Sequence, residues 1–445
     1  MESVSNSHDR LRVYECDIHF MYVCDAGYRL QLDRMYNYLC QKLCWVENCR
    51  IERIPLSQTH QHIDPLYLVL RDIPVYLTIE THLNRIPLDK SYRHHAPLLT
   101  RVTLHETGFV SIRQTLLLKD IDLDCLGIVE ALSLNQTEFN ISCPLLGCSR
   151  MTLDEYTWKL FEKLEKELKL HPRVPIKRPG ELERVLVLRR LSGNPDADSL
   201  LTTYAPDLAS MIGRLRWYED QSTQFQQVIT DDALVLHRYL LVLCKWQGKL
   251  IYYSNTLPEA ARAWWSDTEF VDIFETLLVQ FFSLRMYNIY LEKVRSDVEK
   301  TLLAVAKTNK GNLGASVRQD AISSLLRVET IRADVELSVH ETQHCLVSLS
   351  YHINQVVERY DRAIGLRKRL DVVKTKLDDL ERINDVIVRT LTQQVSEAVL
   401  QASLRETKTL RLLTGLLLAV AVVSVVYTFW EPVSHIITWL MDVVF

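Results

Sequence analysis

The first clear pattern in the chain is an alternation. Tyr14, Cys16, Ile18, Phe20 and Tyr22 are interleaved with Glu15, Asp17 and His19, the period of two that marks a strand buried on one face. Past Gly27 the spacing changes, and Leu32, Met35, Tyr36, Leu39 and Leu43 recur as one stripe of a helix. Strands are expected at 67–70 and 75–79, on either side of Pro74. Val102 and Leu104, then Val110 and Ile112, flank the turn His105 to Gly108 as in a hairpin. Together these predict an α+β domain over residues 1–150.

Thr152 and Glu155 have the spacing of a capping box at the start of an amphipathic helix that runs through Leu168. Pro172, Pro175 and Pro179 then interrupt the chain. A second polar break, 192–199, contains Gly193 and Pro195. Residues 235–246 are apolar enough for a buried helix or a strand, and periodicity leaves both open. Residues 151–267 therefore read as a mixed, mainly helical connecting region.

From residue 268 to 411 the pattern is helical, with one interruption at 308–314, where Asn309, Gly311, Asn312 and Gly314 cluster. Apolar residues then keep a heptad rhythm. Leu346, Leu349, Ile353, Val356, Tyr360 and Ala363 form one register. Leu366, Leu370, Val373, Leu377, Leu380, Asn384, Ile387 and Leu391 form a second, with a one-residue discontinuity between them. This second register is the expected seam of a helical bundle or coiled coil. Asn384 stands in it, where a polar residue fixes register or oligomer number. The partners could be further copies of the chain, giving a homo-oligomer, or its own neighbouring helices.

Residues 412–430 carry no charge over nineteen positions. As a helix they span roughly 28 Å, near the thickness of a bilayer core. Tyr427 and Trp430 suit the far interface; Arg405, Lys408 and Arg411 precede the segment and no Lys or Arg follows it. The reading is a transmembrane helix with the N-terminal body in the cytoplasm. The basic residues are accounted for by orientation, with binding of anionic head groups as the alternative. Residues 433–445 form a short hydrophobic segment after Pro432, either interfacial or a second limb. Glu431 lies just beyond the span. In a symmetric assembly its copies would ring a pore mouth with carboxylates, and in a lone helix it is a solvated terminal charge.

A net charge of −4 gives no support to nucleic-acid binding. Residues 1–10 hold no apolar run of the secretory kind, so the cysteines are expected as free thiols. Neither Cys40, Cys44 and Cys49 nor Cys143 and Cys148 has the tight spacing of a zinc site. No phosphate-binding glycine loop, Gly-x-Ser-x-Gly or His-Glu-x-x-His occurs. No catalytic residue, metal or cofactor is expected.

The layout of an N-terminal α/β body, a long helix and a terminal membrane segment, with 391–427 as its local basis, resembles the CorA-like family of divalent-cation channels. The resemblance implies a homo-oligomeric membrane protein whose cytoplasmic domain senses a ligand and gates a pore. That family's Gly-Met-Asn after the first span does not occur: Tyr427 is followed by Thr428, Phe429 and Trp430. No selectivity residue is carried over. The other reading is a tail-anchored structural or interaction protein without transport.

Overall fold

The computed structural model describes residues 11–27, 30–43, 49–54, 76–87, most of 95–172, 181–213, 229–307 except 246–247, 315–347, 351–403 and 416–424. The chain divides into two compact units, Met1–Tyr290 with Ala333–Lys374, and Leu291–Arg332 with Thr375–Phe445.

The described strands of the first unit are β1 (Arg12–Asp25), β2 (Cys49–Ile54), β3 (Tyr76–Pro87), β4 (His95–His105), β5 (Phe109–Asp124), β6 (Phe139–Cys143), β7 (Gly147–Met151), β8 (Glu181–Leu191), β9 (Ala233–His237), β10 (Leu240–Lys245) and β11 (Gly248–Tyr253). All but β6 and β7 form one mixed sheet, in the order β2-β3-β4-β5-β1-β8-β11-β10-β9. Neighbours run antiparallel except β8 and β11, which are parallel. The expected hairpin pairs Val102 with Ile112 and Leu104 with Val110, its turn closed by Gly108 N–H donating to the His105 carbonyl at 3.0 Å.

One sheet face carries Cys16, Ile18, Phe20, Tyr22, Val110, Ile112, Leu186 and Leu188 and packs on helices α1 (Leu32–Leu43), α2 (Leu153–Leu168), α3 (Ala197–Thr202) and α4 (Ala205–Gly213). The capping box is present: Glu155 N–H donates to the Thr152 hydroxyl, and Thr152 N–H to the Glu155 carboxylate. The opposite face is covered too, after the short helix α5 (Glu259–Trp264), by the start of α6 (Asp267–Lys307) and by α8 (Tyr351–Ile364). α7 (Ala315–Val347) and α9 (Leu366–Ser403) complete the described helices that have named bounds.

The structure corrects two expectations and decides a third point that periodicity left open. The sheet does not stop at residue 150, since β8 to β11 lie in it, so 151–267 is no connector. Val185 to Leu188 is a continuous apolar run because that strand is covered on both faces, and no alternation announces it. Of the ambiguous 235–246 stretch, residues 235–245 belong to the β9–β10 hairpin, turning at Arg238 and Tyr239, and 246 lies outside the described residues. The heptad discontinuity is the end of a helix. Gly365, at φ +69°, donates to the Asp361 carbonyl at 2.6 Å, and the Asp361 carboxylate accepts from Arg367 N–H at 2.7 Å as α9 begins. A left-handed residue at that point is cheap only for glycine.

The seam also has a different occupant from the one an oligomer would need. Leu366, Leu370, Val373, Leu377, Leu380, Asn384 and Ile387 are all buried within the single chain, with Leu391 half-buried. The chain's own helices cover the register, so it carries no argument for further copies. In the second unit Lys376 pairs with Glu292, Arg295 with Asp379 and Arg332 with Glu381. Asn384 donates to Glu329 at 3.4 Å, while its own carbonyl oxygen is buried without a partner. Asn384→Leu is therefore expected to raise the thermal midpoint of this unit, by an amount equivalent to about 1 kcal/mol, because an unsatisfied buried oxygen is exchanged for apolar packing. A lowered midpoint would show that the Asn384–Glu329 contact matters more than the orphaned oxygen.

No helix among the described residues is long and apolar enough to cross a membrane. Of the expected span 412–430, residues 416–424 are described, as helix. The rest of that segment, Arg405, Lys408, Arg411, Tyr427, Trp430, Glu431 and residues 433–445 lie outside the described residues, as do 67–70 and 308–314.

Candidate functional site

The second face of the sheet is where chemistry concentrates. Alternation on β1 places Asp17 and His19 there, and burial on that side leaves them 3% and 8% exposed. The polar positions that read as a solvated face are instead an internal layer. Arg101 from β4, Ser111, Arg113 and Thr115 from β5 and Arg189 from β8 join them. The first turns of α6 bring Asp267, Asp272 and Glu275.

The pairing is dense. Arg113 Nη1 donates to Asp272 at 2.6 Å and lies 3.1 Å from Glu275; Arg101 donates to the same Asp272 oxygen at 2.8 Å. Arg189 bridges the sheet and the helix, donating through Nε to Asp17 at 2.9 Å and pairing with Asp267. Burial disfavours charge on Asp272, but Arg113 and Arg101 more than offset it and hold the carboxyl below its ordinary range. A separate locus fixes α8. Lys249, 1% exposed along its side chain, lies 2.8 Å from Glu183, over the Tyr360 ring at 4.6 Å, and Tyr360 donates to Glu183 at 2.6 Å.

His105, Ser111 and Glu275 resemble the residue set of a nucleophilic triad, but the order is wrong. Ser111 donates to Glu275 at 2.5 Å and stands 3.1 Å from His105 Nε2. The hydroxyl proton is thus held by the carboxylate, and His105 must donate to the serine oxygen rather than take a proton from it. Ser111 has no exposed surface. This arrangement holds α6 on the sheet; it does not present a nucleophile.

The two histidines predict a pH dependence. Burial, with Arg101 adding to it, lowers His105 to about 3. Burial, then Arg113 and Arg189, depresses His19 as well. Both are neutral in the fold and protonate near pH 6.5 once unfolded. The unfolded state then binds more protons, so stability is complete above pH 6.5 and declines below it, by about 2 kcal/mol per histidine on going from pH 7 to pH 5. The lowered carboxyl of Asp272 acts only at more acid pH, below its ordinary value. Thermal melts between pH 7 and pH 5 check this: His105→Gln should flatten the slope by about half, and an unchanged slope would contradict the assignment.

Sequence reading did not anticipate this layer, because Asp17 and His19 looked like a wetted face and Arg101, Arg113 and Asp272 carried no motif. The available signal was acidic residues at 267, 269, 272 and 275 interleaved at the helix start with Phe270, Val271, Phe274 and Leu277, which are buried. Among the described residues no group of His, Cys, Asp or Glu is arranged to hold a metal ion. Cys16, Cys125 and Cys244 are buried free thiols and Cys40 a half-buried one. Burial raises Cys125 to about 11 and Cys244 to about 12, which makes both poor nucleophiles at neutral pH. No protein-family model, curated protein or solved structure matches the chain.

Proposed function

We propose that this chain is an integral membrane protein in which residues 412–430 cross the bilayer, holding a cytoplasmic body made of the sheet-bearing unit and the helical bundle at the membrane as a regulatory or tethering module. The observation that carries the reading is the helix at 416–424. Leu418, Val420, Val422 and Val423 are 63%, 42%, 49% and 62% exposed, and no residue of that helix is buried. A helix that is apolar all round and left uncovered by its own chain is suited to hydrocarbon rather than water. The heptad seam, filled from within the chain, favours a self-contained body on an anchor over a body assembled through that seam.

The expected result is that the full-length chain stays with membranes through alkaline extraction. Leu418→Arg with Val422→Arg, each costing about 3 kcal/mol near the centre of a span, should move it to the soluble fraction. Retention of the double variant would count against a crossing at 412–430. Accessibility of 433–445 from either side of sealed vesicles separates a simple anchor from a hairpin of the CorA-like kind.

A further inference from the structure

Within the sheet-bearing unit, helix α6 is buried on every side over part of its length. Every residue from Leu277 to Leu284 is buried, a run of more than two full turns. An apolar wall that continues round a helix does not say at which height a neighbour sits against it. The neighbour α7 adds no more information. Its buried positions Val328, Ile331, Val335, Ser338 and Thr342 recur three and four apart, so a slide by one turn lays the same stripe over the same wall. Two ion pairs that α7 makes further along, Arg327 with Asp297 and Arg332 with Glu381, join side chains that are about 35–41% exposed. Such pairs hold a helix weakly.

Four polar side chains break that uniformity, and they meet in two pairs. Ser283 Oγ and Ser338 Oγ stand 2.5 Å apart, and Thr342 Oγ1 donates to Gln280 Oε1 at 2.9 Å. Ser338 and Thr342 have no exposed surface, and Ser283 and Gln280 almost none. Only the observed height satisfies both pairs. A slide of α7 by one turn brings Gln280 level with Ser338 in one sense and Ser283 level with Thr342 in the other, and each parts the remaining two groups. A buried polar group that loses its partner without gaining water is costly, whereas one apolar contact replaces another cheaply. We infer that the Gln280–Thr342 and Ser283–Ser338 pairs are a register key: they set the height of α7 against α6 and add little to the stability of the packed helices. Isolated polar groups in an apolar helix seam fix register in this way, at some expense of stability. The inference is independent of the membrane anchor.

The test reads the height of α7 directly in the full-length chain. Asp297→Cys with Arg327→Cys replaces a pair 3.2 Å apart and should form a disulfide on mild oxidation, identified by the mass of the linked peptides. Asp297→Cys with Ser323→Cys, or with Thr330→Cys, reports a slide of one turn in either sense; both positions on α7 are exposed, and neither should link in the parent chain. Gln280→Leu, Ser283→Ala, Ser338→Ala and Thr342→Val together remove both members of both pairs with little change of volume, so helicity and thermal midpoint should hold or rise. In that background, links to 323 or 330 should appear beside the link to 327. Links confined to 327 in the four-residue variant would overturn the inference, as would links to 323 or 330 in the parent. A lowered thermal midpoint or loss of fold in the four-residue variant would overturn it too, because the pairs would then hold the helices together rather than choose their height.

Discussion

Gly27→Ala is expected to be the most damaging single-methyl change in the sheet-bearing unit, costing at least about 3 kcal/mol. Gly27 has φ +108°, and a Cβ there would stand 2.1 Å from the backbone oxygen of His171. The close approach is structural. Ala26 N–H donates to the Gly108 carbonyl at 2.9 Å, and His171 N–H donates to the Ala26 carbonyl at 3.2 Å, so the end of β1, the β4–β5 turn and the chain after α2 cross at one point. No side chain can rotate away from a clash between backbones, and one of those hydrogen bonds must open. Gly193→Ala is the control, because Gly193 also has positive φ, +68°, but nothing lies within 4 Å of its added carbon. It should cost only about 1 kcal/mol, the strain alone. Thermal or urea unfolding of the two variants side by side checks the contrast. Equal effects would mean that conformation, not space, governs both positions.

The second large effect is expected from Arg113→Met. Its guanidinium serves both Asp272 and Glu275, and Glu275 is 6% exposed along its side chain. Removing the cation leaves that carboxylate buried with Ser111 as its remaining hydrogen-bond donor among the contacts described, a loss of about 3–5 kcal/mol. The same physics predicts partial rescue. Adding Glu275→Leu to Arg113→Met removes the uncompensated charge, so the double variant should be more stable than the Arg113 single variant. If the double variant were the less stable of the two, Glu275 would have to be held chiefly by Ser111 rather than by the arginine. The layer thus specifies how α6 sits on the sheet more than it adds stability, since a buried ion pair rarely outperforms well-packed apolar residues.

What could be read in advance follows from how local each signal is. The capping box at Thr152 and the hairpin around Gly108 depend on nearby residues, and the sequence marks both of them. The β8–β11 half of the sheet was not legible. A strand covered on both faces loses its alternation, as Val185 to Leu188 show, and a hairpin of short apolar strands such as β9–β10 has no periodicity to separate it from a helix. The opposite error arose at β1. Alternation there implied water on the side of Asp17 and His19, and only the long-range arrival of α6 turns that side into an interior. The heptad register at 366–391 was visible, but a register does not say whose helix answers it. Filling it from within one chain is a tertiary fact. Of the candidate site, the carboxylates on α6 were discernible as misfits among apolar residues, whereas their arginine partners lie roughly 80–170 residues away in sequence.

The anchor at 412–430 is the central claim, and the most direct test is to look for the protected segment. Sealed vesicles carrying the full-length chain would be digested from the cytoplasmic side, washed at alkaline pH and analysed by peptide mass. The account predicts that peptides covering 412–430 remain with the lipid while those from 267–403 are lost. Digestion of 412–430 at the same rate as the helices before it would contradict the account.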